Sequence, residues 1–538
     1  MSNGLHILYP SVLVYTLSNV PTRFRLDTGC DIKPAQHPAD LILRAFDRMK
    51  LKMFGYNFVP DKFHPRRARF EPSLTHSALR IEEIILIEES DVPASISREA
   101  YAIEISKDGK TVINVVSPLA ALRAFDTLCQ VFYEHSSSPN NVYTTYAPLI
   151  VKDAPVYEHR GLHLDISRNW IPPQDVLRTI KAMELNKMNR LHLHASDSQS
   201  WPLEIPALPE LAQKGAYRED QIWTVKDLTE VQRQGLYYGI EVYLEIDMPG
   251  HTGSIVHAYP DLIAAYSERP WDKYAQEPPS GQLRLNSPEV YAFLKNLFDD
   301  LLPRLSAFNS RFHLGGDEVN LEAYALDPGV RSSSKEVIRP LLQTFFDHAI
   351  GFVKARGMTP YMWQDMLLEW DLQFPPETVF QAWRPGALEA VVAKGHRALF
   401  GACEDWYLDC GFGTFIDPAD SKDSPIKRPY ADWCAPYKNW RRILSYDPLA
   451  NIPEERQHLV IGGEVHLWGE LTDSVCLDFM LWPRVAAAAE TMWRGKGEVG
   501  EATTRRLAEM RERLVRLGIR TGMVQMEWGL RNQGECIL

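Results

Sequence analysis

Two adjacent acidic residues, Asp317 and Glu318, follow a short apolar segment and a pair of glycines. The glycines have no Cβ atom, so the backbone can approach a ligand closely at this point. Two neighbouring carboxylates cannot both ionise at low cost, so the pKa of one should rise, which suits a general acid. A solvated acidic loop is the alternative interpretation, and the apolar segment before the pair disfavours it.

Further polar and aromatic residues recur downstream of short apolar segments. A single aspartate in such a place is often only a loop cap, but here carboxylates and tryptophans recur together. Carboxylates accept hydrogen bonds from sugar hydroxyls, and aromatic rings pack on the C–H faces of sugar rings. The pattern therefore predicts a carbohydrate-binding pocket. Its candidate residues are Asp165, Arg168, His192, His194, Asp197, Asp247, His251, Trp363, Asp365, Trp383, Trp406, Tyr407, Asp409, Trp468 and Glu470.

The spacing of the acidic pair bears on the type of sugar chemistry. An ordinary retaining glycosidase needs two carboxyl groups about 5–5.5 Å apart that flank the sugar. Successive residues of a strand point to opposite faces, so Asp317 and Glu318 would be a poor nucleophile and acid pair. One carboxyl at the glycosidic oxygen and the other on a different substrate group fits better. This favours a substrate-assisted reaction, in which a group of the substrate itself attacks.

The histidines and cysteines do not require a metal. His192 and His194 alternate with leucines and share one face of a strand. They could form a metal pair, but we expect two hydrogen-bonded structural histidines. Cys403 and Cys410 have no second close pair of cysteines, so a zinc site is not expected. We therefore expect neither a metal nor a cofactor.

These residues need a framework that brings distant segments to one rim. Eight short apolar strands are predicted after about residue 155, and amphipathic helical patterns such as 174–188 and 288–305 lie between most of them. The strands are 161–166, 190–194, 241–246, 311–314, 360–363, 379–382, 398–401 and 459–462. Eight β/α units over roughly 340 residues are typical of an α/β fold, the (β/α)8 TIM barrel, whose functional residues lie at the carboxyl ends of the strands.

The segment before the barrel has the pattern of a small α+β sheet domain. Residues 39–54 form an apolar-periodic helix. Asp108-Gly109 separates two alternating segments and predicts a hairpin, and Ser117-Pro118 starts a helix that runs toward His135. The predicted domains are an accessory domain at residues 1–152, the barrel at 153–500, and a C-terminal helix (501–517) and tail that pack on the barrel at 501–538.

Composition and charge exclude several classes of protein. The chain has 538 residues and a formal net charge of −12, and a net acidic chain disfavours nucleic acid as a partner. No apolar run reaches the ~18 residues that span a bilayer, so a membrane is not expected either. Seven cysteines without regular spacing do not describe a disulfide framework. With no N-glycosylation triplet and no basic residue before Arg23 to mark a signal peptide, we expect a reduced, cytoplasmic rather than secreted protein.

Seven short blocks of sequence occur in order between about residues 150 and 500. They are HRGLHLDISR at 159–168, NKMNRLHLHASD at 186–197, DMPGH at 247–251, HLGGDE at 313–318, WQ at 363–364, WYLD at 406–409 and GGEVHLWGE at 462–470. Together they resemble the β-N-acetylhexosaminidases of glycoside hydrolase family 20. The resemblance implies retaining hydrolysis of terminal non-reducing β-linked N-acetylglucosamine or N-acetylgalactosamine from a small carbohydrate or glycoconjugate. The first domain is similar in size and type to the accessory domain of that family.

The resemblance also implies a role for each candidate residue. Glu318 would protonate the leaving oxygen and later activate water, while Asp317 would hold the acetamido nitrogen and stabilise a cationic oxazolinium ring. Tyr407 would hydrogen-bond the acetamido oxygen. The remaining implied roles are an aromatic wall around the acetamido group for Trp363, Trp383 and Trp468, contacts to ring hydroxyls for Arg168, Asp409 and Glu470, and indirect support of the acid for Asp197 and His251.

Some features depart from the family pattern, and others leave alternatives open. Animal lysosomal relatives carry disulfides and glycosylation triplets that this chain lacks, and Asp197 stands alone where relatives often have two acids in a row.

A non-catalytic sugar-binding barrel would need a lost acid or a broken aromatic wall, and neither is found. A relative that releases a disaccharide would need an open pocket, whereas Arg168, Asp409 and Glu470 predict a closed one. The preferred sugar, the natural aglycone and homodimer formation stay open.

Overall fold

The computed structural model describes residues 8–10, 14–33, 39–73, 79–89, 97–417 and 431–537. Within these ranges, a mixed sheet domain precedes a closed barrel of parallel strands surrounded by helices. This confirms the predicted TIM barrel with an α+β domain before it, while the domain boundaries themselves stay predictions. No helix in the described ranges is both long and apolar enough to cross a membrane.

The first domain is a six-stranded mixed sheet that two helices pack against. Its elements are β1 (Val14–Lys33), α1 (Ala39–Gly55), β2 (Leu79–Glu88), β3 (Tyr101–Ile105), β4 (Thr111–Val115), α2 (Pro118–Gln130), β5 (Tyr133–His135) and β6 (Ser138–Asp153). The strand order is β1-β2-β4-β3-β6-β5, and β1 also pairs with β6. The two helices contact each other as well as the sheet, so each buries an apolar face.

The sequence predicted most of these elements. α1 starts at the predicted residue, and β3 and β4 form the antiparallel hairpin expected around Asp108-Gly109. The Ser117 hydroxyl caps α2, because it accepts a hydrogen bond from the Ala120 amide at 3.2 Å. α2 ends at Gln130, earlier than predicted, because residues 133–135 pair with β6 as a strand instead.

The second domain contains the remaining strands. They are β7 (His159–Asp165), β8 (Arg190–His194), β9 (Glu241–Glu245), β10 (Ile263–Ala264), β11 (Gln282–Leu283), β12 (Arg311–His313), β13 (Thr359–Trp363), β14 (Val379–Ala382), β15 (Arg397–Phe400) and β16 (Val460–Leu467). The two-residue strands β10 and β11 form a small hairpin in the loop after β9. The other eight close into a parallel barrel in which β16 pairs with β7, as the eight predicted strands require.

Helices connect the barrel strands and continue to the end of the chain. They are α3 (Pro173–Leu185), α4 (Glu210–Gly215), α5 (Val225–Tyr237), α6 (Pro288–Ser306), α7 (Leu321–Ala325), α8 (Lys335–Ala355), α9 (Asp365–Leu368), α10 (Ala387–Ala393), α11 (Cys403–Trp406), α12 (Trp440–Ser445), α13 (Leu477–Leu481), α14 (Arg484–Arg494), α15 (Glu501–Arg516) and α16 (Glu527–Arg531). Short 3₁₀ helices lie at Asp61–Phe63, Gly253–His257, Pro260–Leu262, Trp271–Lys273 and Glu454–Leu459.

The last barrel strand, β16, is longer than predicted. The sequence pattern predicts an end at Gly462, but the strand continues to Leu467. A Cβ atom on Gly462 would overlap the backbone carbonyl of His159, and one on Gly463 would overlap the ring of Phe400. The two glycines are therefore packed inside the strand, where neighbouring segments approach closely, and do not mark its end.

Buried ion pairs join the first domain to the barrel. The Glu99 carboxylate accepts hydrogen bonds from Arg160 at 2.5 Å and from Arg123 at 2.7 Å. Lys187 of the barrel donates to Asp153 of the first domain at 2.8 Å. These side chains are withdrawn from solvent, so each charge depends on its partner in place of water.

The helix predicted at residues 501–517 is α15, and Gly518 follows it at a φ of +86°. α15 contacts α14 of the barrel. From the same helix, Arg513 donates to the backbone carbonyl of Gln130 in the first domain at 2.7 Å. α15 therefore packs on the first domain as well as on the barrel, a contact that the sequence did not predict.

Candidate active site

A cleft of about 990 Å³ opens where the barrel strands end, and most of the predicted site residues line it. The lining residues among them are Arg168, His251, Asp317, Glu318, Trp383, Tyr407, Asp409, Trp468 and Glu470. Asp197 and Trp363 are not at the cleft surface, because both are fully buried. They contact the lining residues from the interior of the barrel.

Asp317 and Glu318 lie in an irregular segment after β12. Gly315, Gly316 and Glu318 have φ values of +65°, +95° and +52°, in the left-handed region that glycine adopts without strain. A Cβ atom on Gly315 would overlap the Asp247 carboxylate, so this close approach requires glycine. Because the segment is not a strand, the expected alternation of faces was wrong, and both acidic residues line the cleft.

His251 connects Glu318 to a buried carboxylate. Its Nε2 atom lies 3.5 Å from Glu318 Oε2 and 3.9 Å from Asp317 Oδ2. Its Nδ1 atom lies 3.2 Å from Asp197 Oδ1. Although burial opposes protonation, Asp197 and Asp317 raise the pKa of the His251 imidazole well above its usual range. The positively charged ring of His251 therefore lies between Asp197 on one side and the pair Asp317 and Glu318 on the other.

Asp317 has the raised pKa that the sequence predicted for one member of the pair. Burial is the main cause, and the charge of Asp247 contributes more than that of Glu318. Asp247 is itself buried, which raises its pKa to about 7. The sequence predicted that the neighbouring charge of Glu318 would raise this pKa. Glu318 contributes less to the raised pKa of Asp317 than Asp247 does, because Asp247 comes from another strand end and is buried beside Asp317.

Arg168 is a buried cation at the cleft. Its guanidinium nitrogens lie 2.8 Å from Asp197, 2.7 Å from Glu277 and 3.2 Å from Asp165. Although burial opposes the charge, Asp197 and Glu277 raise the pKa of Arg168 well above its usual range. Sequence reasoning missed Glu277, which also lines the cleft. It lies in the long loop that contains β10 and β11, so no strand end marks it.

Two buried carboxylates hold the indole groups of the predicted aromatic wall. Trp363 donates from Nε1 to Glu245 at 2.7 Å, and Trp383 donates from Nε1 to Asp365 at 2.8 Å. Trp468 packs against Trp363 with ring centroids 5.9 Å apart. Each of the two hydrogen bonds fixes the orientation of a ring, because an indole has a single N–H donor.

Tyr407 completes the aromatic group. Its ring stacks on that of Trp383 with centroids 6.5 Å apart and lies 6.3 Å from that of Trp468. Trp433, which the sequence analysis did not select, lines the cleft with 69% of its surface exposed and meets Trp383 edge-on at 6.1 Å. Its exposure distinguishes it from the buried rings and could not be predicted from the sequence pattern.

Asp409 and Glu470 bring two further carboxyl groups to the cleft. Burial raises the pKa of Asp409 to about 6. Burial and the nearby charge of Glu277 raise the pKa of Glu470 well above its usual range. These acids and Arg168 line the same cleft, so the pocket contains both hydrogen-bond donors and acceptors for sugar hydroxyls.

Cys410 and Cys434 form a disulfide with Cα atoms 5.4 Å apart. Cys410 follows Asp409 and Cys434 follows Trp433, so the bond joins two segments that line the cleft. All seven cysteines lie within the described ranges, and the other five are free. The expectation that the chain lacks disulfides was wrong for this pair, because folding brings the two segments together and cysteine spacing alone does not show which residues pair.

His192 and His194 point into the barrel and contact buried carboxylates. His194 lies 2.7 Å from Glu245 and 2.9 Å from Asp197, and His192 lies 3.0 Å from Glu464. Such distances describe hydrogen-bonded structural histidines. Within the described residues, Glu245 also has nitrogen atoms of several histidines within 4.8 Å, a spacing that a metal ion could use. The expectation that no metal binds therefore stays a prediction.

Comparison with known proteins agrees with these features. Residues 157–496 match the family described as "Glycosyl hydrolase family 20, catalytic domain", and residues 9–131 match one described as "beta-acetyl hexosaminidase like". A beta-hexosaminidase of Arthroderma benhamiae is 45% identical to this chain, covering 94% of it and 86% of that protein. A chitooligosaccharidolytic beta-N-acetylglucosaminidase of Ostrinia furnacalis is 30% identical, covering 86% of this chain and 79% of that protein.

A solved structure shows the same fold at lower identity. The family 20 exo β-N-acetylglucosaminidase from Vibrio harveyi, determined in complex with N-acetylglucosamine, superposes with a TM-score of 0.76 at 20% identity. The match covers 96% of this chain and 78% of that chain. The catalytic-domain match and the identity over nearly the whole length lead to one conclusion: the chain belongs to glycosyl hydrolase family 20.

Proposed function

We propose that this chain removes terminal non-reducing β-linked N-acetylglucosamine or N-acetylgalactosamine with retention of configuration, using the substrate's acetamido oxygen as the nucleophile. Family membership supports a β-hexosaminidase activity. The observation that carries the mechanism is at Asp317. Its carboxyl group lines the cleft beside Glu318, Trp383 and Tyr407, and it is buried against Asp247, with which it shares a side-chain hydrogen bond. A substrate N–H in the cleft would donate to this carboxyl group.

The reaction needs one acid and one anion, and the cleft has both. Glu318 donates a proton to the glycosidic oxygen as the C1–O bond breaks, and the acetamido oxygen bonds to C1. The resulting oxazolinium ring is cationic, and the Asp317 carboxylate holds its N–H. Glu318, now deprotonated, removes a proton from water, which opens the ring at C1 and returns the enzyme to its starting state.

The aromatic residues have a direct part in this scheme. Trp383, Tyr407 and Trp468 line the cleft, and Trp363 lies behind them. Such a wall excludes water from the acetamido group and restricts it to the geometry in which its oxygen reaches C1. The Tyr407 hydroxyl supplies a donor for that oxygen in the proposed complex.

Hydrolysis of an aryl N-acetyl-β-glucosaminide tests the activity. Wild-type protein should release the aryl group and form the β-anomer of the sugar first, which proton NMR observes before mutarotation. A sugar-binding barrel without catalysis would bind the sugar without turnover. First formation of the α-anomer would contradict the retaining mechanism.

The products released from an oligosaccharide distinguish an enzyme that removes one sugar at a time from one that releases a disaccharide. Arg168, Asp409 and Glu470 supply charged and polar contacts beside the terminal sugar, which supports a closed pocket. Short chitooligosaccharides are a suitable substrate class, because the Ostrinia furnacalis relative is described as chitooligosaccharidolytic. At early conversion of N-acetylated chitotetraose we expect monosaccharide and trisaccharide without disaccharide, and we expect measurable kcat/KM with both gluco and galacto substrates.

The cellular compartment and the assembly of the protein are two further proposals. We infer a cytoplasmic protein from the absence of N-glycosylation triplets, whereas the Cys410–Cys434 bond favours an oxidising compartment. Fractionation of the native source checks the compartment. Homodimer formation is a further inference, which the mass measured by light scattering at micromolar concentration would establish or contradict.

A further inference from the structure

One buried carboxylate, Glu245, contacts both halves of the candidate site from inside the barrel. It is the last residue of β9 and has no exposed surface. Its Oε1 atom accepts a hydrogen bond from Trp363 Nε1 at 2.7 Å, and its Oε2 atom lies 2.7 Å from His194 Nδ1. We propose that Glu245 is a positioning residue that fixes the acetamido wall and the general acid relative to each other.

The connection to the acid runs through three side chains, which we call the acid arm: His194, Asp197 and His251. His194 Nε2 lies 2.9 Å from Asp197 Oδ2, and Asp197 Oδ1 lies 3.2 Å from His251 Nδ1. His251 Nε2 then lies 3.5 Å from Glu318 Oε2. A displacement of His194 therefore passes to Glu318 through the two hydrogen bonds of the arm and the ion pair between His251 and Glu318.

The charges of this arm make it rigid. Although burial opposes protonation, Glu245 and Asp197 raise the pKa of His194 to about 10. Despite its burial, His194 and His313 hold the pKa of Glu245 well below its usual range. His194 is thus an imidazolium that donates from both ring nitrogens to carboxylates, and charge-assisted hydrogen bonds are roughly twice as strong as neutral ones. Arg168 faces the same ring, with Nη1 3.3 Å from His194 Nε2.

The connection to the aromatic wall is a single hydrogen bond. Trp363 is fully buried, so its indole cannot replace Glu245 with water as an acceptor. The Trp363 ring lies 5.9 Å from Trp468, which lines the cleft. Loss of the charged acceptor would release the ring that supports this wall, and the space for the acetamido group would be less well defined.

Glu464 provides a matched comparison inside the same barrel. It is equally buried and also ionised, because His192 and His159 hold its pKa well below its usual range despite burial. Its hydrogen-bond partners are His159, His192, Tyr243 and Gln381. None of these four lines the cleft. Glu464 therefore shares the burial and histidine contacts of Glu245, and it touches neither the acid arm nor the aromatic wall directly. Its one connection to Glu245 among these partners is His192, with Nδ1 3.0 Å from Glu464 and Nε2 3.2 Å from Glu245.

The inference rests on the proposed function, and its test compares Glu245→Gln with Glu464→Gln in the full chain. Glu245→Gln should lower kcat by about 10²-fold, the effect of a small misplacement of reacting groups. The loss should be larger for an alkyl than for a nitrophenyl leaving group, because only the former needs full protonation. The inhibition constant ratio of glucose to N-acetylglucosamine should fall at least tenfold, since the acetamido pocket is disturbed.

Glu464→Gln should lower the melting temperature but leave the leaving-group dependence and the inhibitor ratio at their wild-type values. A Glu245→Gln protein that also keeps both values would show a structural role only and overturn the proposal. If Glu245→Gln does not fold, His194→Gln replaces it. That variant should change the leaving-group dependence, because His194 is the first member of the acid arm, and an unchanged leaving-group dependence would overturn the proposal. Wild-type protein without turnover would instead refute the proposed function.

Discussion

Asp247 and Asp317 come from the ends of different barrel strands, yet each has a carboxyl oxygen within 4.8 Å of the other. Both pKa values are raised, by burial in the first place, so the pair retains a proton near neutral pH. A cationic intermediate at Asp317 would reverse this balance, because it favours the ionised carboxylate. The Asp317 anion is therefore favoured only when the cationic ring of the proposed reaction lies beside it.

The role of Glu318 predicts a large and selective loss of activity on substitution. Glu318→Gln keeps the shape of the side chain but cannot donate a proton, so turnover of an alkyl glycoside should fall by about 10²–10⁴-fold. An activated aryl glycoside should lose less. Steady-state kinetics with both substrates measure the effect, and Glu322→Gln, a half-exposed residue on α7, serves as the control. Near wild-type turnover of the alkyl glycoside by the Gln variant would remove Glu318 from this role.

The nucleophile can be tested by weakening it chemically. Fluorine atoms on the acetyl methyl withdraw electron density from the acetamido oxygen and change its size little. The rate should therefore fall steeply from acetyl to trifluoroacetyl, and a substrate with a plain 2-hydroxyl should be nearly inert. Asp317→Asn should cost on the order of 10²–10³-fold in kcat, as for loss of one preorganised electrostatic partner. A rate indifferent to fluorination, together with a covalent glycosyl adduct on any carboxylate, would contradict substrate assistance.

Glu99 predicts a pH-dependent stability that has no connection to catalysis. Despite burial, Arg160 and Arg123 lower its pKa to about 2 from an ordinary value of 4.5. Because the folded-state pKa is depressed, its stabilisation is fully present above about pH 4.5 and is lost as the pH falls toward 2. Glu99→Gln should lower the free energy of unfolding at pH 7 by about 3–5 kcal/mol, since it leaves buried arginines without their carboxylate.

Denaturant unfolding of both proteins at pH 7 and pH 3.5 measures this effect. The difference between wild type and Glu99→Gln should be smaller at pH 3.5, since Glu99 of the wild type begins to lose its advantage there. Glu104→Gln, an exposed residue of β3 in the same domain, should change neither value by more than about 0.5 kcal/mol. An equal difference at both pH values would show that ionisation of Glu99 does not stabilise the fold.

The cysteine pattern predicts a definite thiol count. Titration of the denatured chain without reductant should find five free thiols and one disulfide, in peptides that contain Cys410 and Cys434. Mass spectrometry of a non-reduced digest identifies the linked peptides. Cys410→Ser should leave Cys434 as a free thiol, so the titration should find one free thiol more than the five of the wild type. Two or more disulfides in protein from its native compartment would contradict the expectation of a reduced, cytoplasmic chain.

The sequence by itself determined the framework and most of the candidate residues. β8 and β14 match their predicted bounds residue for residue, because short segments that contain apolar residues and lie between helical patterns have few other interpretations. Residues such as Arg168, Tyr407 and Glu470 could be selected because parallel strands of a barrel end at one rim. Chain order alone then places strand-end residues in a common cleft.

The tertiary structure decided what strand order does not encode. Glu277 reaches Arg168 across 109 positions from a long loop, and the Cys410–Cys434 bond depends on how two lining segments meet. Neither follows from periodicity, since loop paths are set by packing rather than by local pattern. The raised pKa of Asp317 and the contacts of Glu245 with both the acid arm and the aromatic wall do not follow from periodicity either. Burial and the approach of charges from separate strands determine these properties, and both exist only once the barrel has closed.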